Sequence, residues 1–521
     1  MSILARQLFY PFSRKSDEGS RLDLSCDFNL PILLSQLRAL AGQTAAYGLS
    51  SIVGRLLNYL LVPLYTRIFS PAEYGIVSEF YAYVTFLLVL YSYGMETAFF
   101  HFVNRKHKQE NVYGHAQFLL LCTTTLLTAI LLLFSGPIAS AIGYPEHPEF
   151  VQWFAGILAI DTLCVLPFAR LRQQGKAMRF AGIKLGGIAV NIAFNLFFLW
   201  ILPGQEQVDL SGGSGASYVF LANLVASAVV FLFLLPAMRD CKPAFDPNLS
   251  KEMFVYALPL LVAGFAGMIN ETLDRAILKY LISDPKVAME QLGIYSACYK
   301  LSILMTLFVQ TFRYAAEPFY FAQQHKEESK RLFANVMNYF VFAGCVIFLT
   351  VLVYLDLFKH FIGPRYYSGL HVVPVLLAAN LFLGIYLNMG IWYKLSGKTG
   401  YGAWLSLIGA IVTVVFNLWL IPVMGIAGAA WATLLCYFIM MVLSWMKGRE
   451  IYPVPYETGK LIAMLLSAFA LWQLFEYLRI ALGWDAVRSY VFGGLILATY
   501  VGTCWSWLGG WKRFRLFSKT S

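Results

Sequence analysis

The sequence predicts an all-α polytopic membrane protein of about fourteen transmembrane helices, built as two parallel-related six-helix lobes plus two C-terminal helices. Three observations predict it. Hydrophobic residues make up 59% of the 521 residues and aromatic ones 16%, against 13% charged, a balance that a water-soluble globule of this length does not hold. The apolar residues gather into runs of roughly 20 residues or more, each able to cross a hydrocarbon core of about 30 Å at 1.5 Å per residue. The third observation is an internal repeat.

The runs lie at 45–68, 72–100, 112–137, 150–172, 179–202, 215–238, 252–281, 291–319, 331–356, 369–393, 400–421, 424–446, 458–480 and 487–509. Residues 1–44 form a partly disordered N-terminal segment, in which PILLSQLRALA (31–41) suits a short interfacial amphipathic helix. It has no apolar core followed by a small-residue cleavage site, so no cleavable signal peptide is expected. The first lobe covers 45–238, a linker 239–251, the second lobe 252–446, two additional spans 447–509 and a basic tail 510–521.

Net charge is +11, and its distribution along the loops orients the chain. Arg6, Arg14, Lys15, Arg21 and Arg38, then Arg105, Lys106 and Lys108, then Arg170, Arg172, Lys176 and Arg179, and finally Lys512, Arg513, Arg515 and Lys519 all fall on one side. The loops around Pro145 and Gly204 on the other side hold no Lys or Arg. Both termini are therefore expected in the cytoplasm. The segment from Arg275 to Lys286 disagrees, being basic where the exterior is expected, and the acids Asp274, Asp284 and Glu290 do not excuse it. Eight scattered cysteines without a CxxC pair imply neither a disulfide framework nor a metal site.

The repeat pairs EYGIVSEFY (73–81) with QLGIYSACY (291–299), YGLSSIV (47–53) with YALPLLV (256–262), and AFNLFFLWILP (193–203) with VFNLWLIP (415–422). Gly75 aligns with Gly293, Tyr81 with Tyr299 and Asn195 with Asn417, and the segment offsets are 209 for 47–53, 218 for 73–81 and 222 for 193–203, drifting in chain order. Six spans per repeat preserve orientation, so the lobes are expected about a pseudo-two-fold along the membrane normal.

GRLLNYLLVPLYTRIFSPAEYG (54–75), with LDRAILKYL (273–281) and LGIYSACYKL (292–301), resembles the polysaccharide-biosynthesis branch of the multidrug/oligosaccharidyl-lipid/polysaccharide exporter superfamily, which includes the O-antigen (Wzx-type) flippases. The resemblance covers roughly residues 42–450 and leaves the first forty outside. It implies a flippase for polyprenyl-diphosphate-linked oligosaccharide in a bacterial cytoplasmic (inner) membrane, with the lipid bilayer and polysaccharide assembly enzymes as partners, no nucleic acid and no cofactor. Coupling to a proton, a sodium ion or the membrane potential is part of that expectation.

Read from the residues alone, Pro71 and Gly75 bracket a tight turn, while Tyr65 and Arg67 suit the headgroup level. Charges inside spans point to function, because an ionised group near the bilayer centre costs about 2.5–3.5 kcal/mol even on lenient scales. At 1.5 Å per residue Arg55, Lys300 and Asp161 lie roughly 15 Å from a span end and Glu79 roughly 10 Å. Arg55 and Lys300 suit a diphosphate, to which cations donate charge-assisted hydrogen bonds. Glu79 and Asp161 are candidates for a coupling ion, or else counter-ions that pair with Arg55. Arg313 with Glu317, and Glu271 or Asp274 with Arg275, read as structural ion pairs. Tyr59, Tyr83, Tyr295, Tyr299, Asn58 and Gln310 suit a glycan, among thirty-one tyrosines most of which serve packing and interface belts.

No phosphate loop, HExxH, CxxC or nucleophile motif is present, so an enzyme is not expected. The alternatives are a lipid II flippase, a cation-coupled drug exporter of the same superfamily, and a membrane glycosyltransferase or polysaccharide polymerase. The last would need a larger extramembrane region than loops of about 15 residues supply.

Overall fold

The computed structural model describes residues 52–105, 112–202, 214–238, 246–324 and 328–508. The N-terminal segment, the 106–111 and 203–213 loops, the basic tail, Cys26 and Cys241 lie outside the described residues.

The chain is helical from 52 to 59 and, after a break at Leu60, continues as α1 (Leu61–Ile68). There follow α2 (Pro71–Ser92), α3 (Met95–Arg105), α4 (Val112–Leu133), α5 (Ser135–Ala141), α6 (Pro148–Gln173), α7 (Ala177–Leu196) with a π-turn Phe197–Ile201, and α8 (Ser214–Met238). The second half holds α9 (Pro247–Leu281), α10 (Pro285–Leu301), α11 (Ile303–Gln323), α12 (Ser329–Val353), α13 (Leu355–Phe358), α14 (Val373–Met389), α15 (Ile391–Leu395), α16 (Gly400–Met424) and α17 (Ile426–Ile451). The chain ends in α18 (Thr458–Ala481) and α19 (Ala486–Trp507). No strand occurs among the described residues.

Eleven helical segments are long and apolar enough to cross a membrane, and the α10–α11 pair, bent by 51°, raises the number to twelve. The expected fourteen is not reached on the described residues. The first run is described only from residue 52, and α19 is diluted by Gly493, Gly494, Gly502 and three threonines or serines at its end. Exposed apolar side chains such as Leu133, Trp200, Phe233, Trp419 and Ile480 form an outer surface suited to lipid. This is a multi-pass membrane protein.

Helix starts follow from local chemistry. The Ser70 hydroxyl accepts from the Glu73 backbone N–H while the Ser70 N–H donates to the Glu73 carboxylate at 2.8 Å, a capping box with Pro71 at the first helical position. That is how α1 stops at Arg67–Ile68 and α2 restarts beyond Pro71. Asp246 with Pro247 and Asp284 with Pro285 cap α9 and α10 in the same manner.

In the N-terminal half α6 packs on α4 and α8, and α7 on α8. Phe80, Phe150, Phe154 and Phe220 meet there, with Phe154 and Phe220 centroids 4.5 Å apart. In the C-terminal half α17 packs on α14 and α16, and α16 on α9. α18 and α19 rest on α12, where the Tyr500 hydroxyl donates to the Met464 carbonyl at 3.1 Å.

The halves join most closely between α2 and α10. This contact lies at the end of the bundle that carries the turns at Pro71, Pro148, Pro285 and Pro364, called here the proline end. A methyl group on Gly75 would overlap the Met289 carbonyl, and one on Gly293 the Pro71 carbonyl, so the two helices approach backbone to backbone.

Candidate functional site

Between the halves lies a cavity of about 780 Å³ lined from both. Its ionisable lining residues are Arg55, Arg275, Lys300 and Arg313 with one acid, Glu271. Four cations against one carboxylate make it electropositive within low-dielectric walls, an environment that favours an anion.

Arg55 is exposed to the cavity and, among the described residues, makes no hydrogen bond or ion pair. The expected counter-ion pairing with Glu79 or Asp161 does not occur. Lys300 ends α10 just before the bend, its ammonium 5.5 Å from the Tyr59 ring, and the Tyr59 hydroxyl donates to the Lys300 carbonyl at 2.6 Å. Arg275 is held rigidly. Its Nε lies 3.4 Å from Asp274 Oδ1, its Nη2 donates to the Glu271 carbonyl at 2.6 Å, and its guanidinium sits 4.4 Å from the Tyr299 ring. The Glu271 carboxylate is thus not the partner of Arg275. Asp274 is, because adjacent placement on the buried face brings it and Tyr295 together at 2.5 Å.

Arg313 also faces the cavity, whereas Glu317 turns away and pairs with Lys394 at 2.5 Å instead of Arg313. α11 and α15 cross there, so a cation from another helix reaches Glu317 where the residue one turn earlier does not. Asp161, on α6 near Ser227 of α8, lies off the cavity lining. Of the expected glycan contacts, Tyr59, Tyr299, Asn58 and Gln310 line the cavity, and Tyr83 and Tyr295 do not.

Glu79 departs most from expectation. It is fully buried beside the cavity rather than in it, and accepts hydrogen bonds from the Tyr83 and Tyr144 hydroxyls, both at 2.6 Å, and from Lys279 at 3.0 Å. Lys279 also donates to the Ile142 carbonyl at 2.6 Å. Three donor groups around one carboxylate and a second acceptor for the ammonium offset the desolvation of the pair. The pair ties α2 to α9 near the proline end.

Three further contacts seal that end. Gly363 N–H donates to the Thr66 hydroxyl at 3.0 Å, the Tyr366 hydroxyl to the Phe69 carbonyl at 3.0 Å, and Arg67 Nη2 to the His360 carbonyl at 2.9 Å. Arg67, expected as an interfacial anchor, therefore also bridges the halves. Beyond the bend α11 packs chiefly on α14 and α12.

Sequence reasoning missed Lys279, Tyr144, Asn191 and Asn223. Lys279 did leave a signal, the basic segment in conflict with the charge rule. Arg275 and Lys279 lie inside α9 and point into the protein, so they are not loop charges, and of the three basic residues in that segment only Lys286 sits at the turn. Among the described residues no three His, Cys, Asp or Glu side chains converge as a metal would require.

Residues 40–321 match the sequence model of the polysaccharide biosynthesis protein family. The chain is 20% identical over 293 residues to the capsular polysaccharide biosynthesis protein CapF of Staphylococcus aureus, covering 55% of this chain and 71% of that one. It is 20% identical over 463 residues to a probable low-salt glycan biosynthesis flippase, Agl15, of Haloferax volcanii, covering 87% and 89%. In fold it is similar to the lipid II flippase MurJ in an inward closed conformation, with a TM-score of 0.69, 11% identity and coverage of 89% and 99%.

Proposed function

We propose a function from one premise: the chain belongs to the polysaccharide biosynthesis protein family. It is a flippase that carries a polyprenyl-diphosphate-linked saccharide across the cytoplasmic membrane, from the inner to the outer leaflet, by alternating access. The observation that carries this reading is the convergence of Arg55, Arg275, Lys300 and Arg313 on one cavity between the two halves. Three of these cations, Arg55, Lys300 and Arg313, have no ion-pair partner among the described residues, and placing charge within membrane spans is costly, which favours an anionic ligand in the cavity.

In this reading the proline end faces outward and the structure is the inward-open state. Arg55 and Lys300 come from opposite halves and grip the diphosphate between them, and Arg275, already oriented by Asp274, supplies a third donor group. Each charge-assisted hydrogen bond contributes on the order of 1.5–3 kcal/mol in such a site. The polyprenyl tail stays in lipid while the head crosses inside the cavity. Outward opening requires α2 and α10 to part and the Glu79–Lys279 pair to separate. Glu79 is committed to that pair, which leaves Asp161, beside Ser227, as the coupling-ion candidate. A cavity of this sign disfavours cationic drugs.

The test is depletion of the protein in its host, followed by analysis of lipid-linked saccharides by leaflet. One such lipid should accumulate in the inner leaflet, and unchanged levels of all of them would overturn the proposal.

A further inference from the structure

The duplication supplies an internal control for reading the cavity. In the second half Asn417 donates to the Thr413 carbonyl at 2.7 Å, and Thr413 donates to Asn270 at 3.3 Å, all within buried packing. Their repeat counterparts, Asn195 and Asn191, begin alike: Asn195 Nδ2 donates to the Asn191 carbonyl at 2.8 Å. The first half then diverges. Asn195 Oδ1 accepts from Tyr65 at 2.7 Å and its amide also reaches Asn191 Oδ1 at 2.6 Å, while Asn223 Nδ2 donates to the Tyr81 hydroxyl at 3.0 Å.

This first-half array opens into the cavity. Asn191 and Asn223 are both partly exposed cavity-lining residues, and Asn58 on the same side is exposed with no hydrogen-bond partner among the described residues. Asn191 Nδ2 stands 3.5 Å from Asn223 Oδ1, too far for more than a weak bond. One amide therefore keeps donor capacity beside another that keeps acceptor capacity, neither carrying charge. Amides left with spare capacity inside apolar helices call for a ligand. The second-half wall differs: it bears Arg275, Lys300 and Arg313, and its Asn270 and Asn380 are buried and spent on Ser406, Ser302 and Leu376.

We infer that Asn191 and Asn223, with Asn58, form a saccharide-reading wall opposite the cationic one, hydrogen-bonding the hydroxyls or amides of the first sugar attached to the diphosphate. This rests on the flippase reading. The headgroup would lie across the cavity with phosphates between Arg55 and the cations of α9–α11 and the sugar toward α7 and α8. Discrimination between sugars would come from these neutral amides, and affinity for the diphosphate from the cations.

The test uses the purified full chain in nanodiscs and two probes, bare undecaprenyl diphosphate and undecaprenyl diphosphate bearing one N-acetylhexosamine. The wild type should bind the sugar-bearing lipid about three- to tenfold more tightly, the worth of one or two neutral hydrogen bonds. Asn223→Leu should erase that preference while bare diphosphate binding stays within about twofold. Asn223→Ser and Asn191→Ser, which keep a small polar group, serve if the leucine variant does not fold, and should narrow the preference. An undiminished preference in the variants, or none in the wild type, overturns the inference. Equal weakening of both probes with lowered thermal stability would show that the amides only bind α7 to α8. If the wild type binds neither probe, the flippase reading itself fails, and a wild type that binds bare diphosphate keeps that reading whatever the variants do.

Discussion

Gly75 and Gly293, aligned to each other by the internal repeat, are each other's neighbours in space: a methyl group on Gly293 would stand 3.0 Å from the Gly75 amide nitrogen. Residues related by a two-fold axis meet only on that axis. The pseudo-two-fold expected from the repeat would pass between these glycines, and their missing side chains are what let α2 and α10 approach so closely at the proline end.

Gly293→Ala is accordingly expected to push the helices apart and to destabilise the closed end by about 1–3 kcal/mol. Ser78→Cys, a cavity position on α2, should then label from the proline side in a background without the exposed thiol of Cys122. Unchanged melting and labelling would show that the close approach does not hold the end shut.

Glu79→Gln leaves Lys279 without its counter-charge in a site where its side chain is only 14% exposed. Loss of one partner of a buried pair typically costs about 3–5 kcal/mol, while replacing both is often neutral. The single variant should melt earlier, and Glu79→Gln with Lys279→Met should regain most of the loss. A double variant no more stable than the single would mean that the pair does not couple α2 to α9.

Arg55→Ala and Lys300→Ala should each lower flipping at subsaturating substrate by roughly ten- to over a hundredfold, with membrane abundance intact. Arg55→Lys should keep more activity than alanine, since charge survives and bidentate geometry does not. Because Arg55 has no acid partner in this state, adding Glu79→Gln or Asp161→Asn should restore nothing. Recovery of transport in either double variant would sink the diphosphate role.

A pH effect is expected outside the membrane, where the tip of the α18–α19 hairpin meets α13. Burial acts to raise the pKa of Asp356, but Lys359 at 2.6 Å and Arg479 at 2.8 Å outweigh it and hold the carboxyl below its ordinary value. A folded pKa below the unfolded one contributes stability above the unfolded value, about 3.9, and loses it as pH falls through the folded one. Asp356→Asn should thus separate from wild type in melting at pH 7 and converge with it near pH 3, the effect reduced by solvent screening at this half-exposed site. A gap independent of pH would exclude the carboxylate as its source.

Much of this molecule was legible in the chain. Apolar run length and composition determined an all-helical membrane protein, because a bilayer admits no unsatisfied backbone and so forces each long apolar run into a helix. Pro71 marked the turn before α2, whereas the apolar runs begun at 252 and 291 missed the starts of α9 and α10, which Asp246 with Pro247 and Asp284 with Pro285 set at 247 and 285. The repeat aligned Gly75 with Gly293, though only the packing made them neighbours, and depth along a helix brought Arg55 and Lys300 to one level.

Partner choice was beyond the sequence. Spacing of four residues proposed Arg313 for Glu317 and left Glu271 or Asp274 open for Arg275, and the ion pairs formed are Glu317 with Lys394 and Asp274 with Arg275. For Glu79 depth suggested the cavity, and packing turned it toward Lys279, two hundred residues away. Rise per residue gives height in the membrane and nothing about rotation around the helix, and rotation follows from which faces interlock. The same limit hid the amides: Asn191 and Asn223 become a wall only when α7 and α8 turn them to one side of the cavity, a consequence of side-chain packing across helices that no local stretch of sequence encodes.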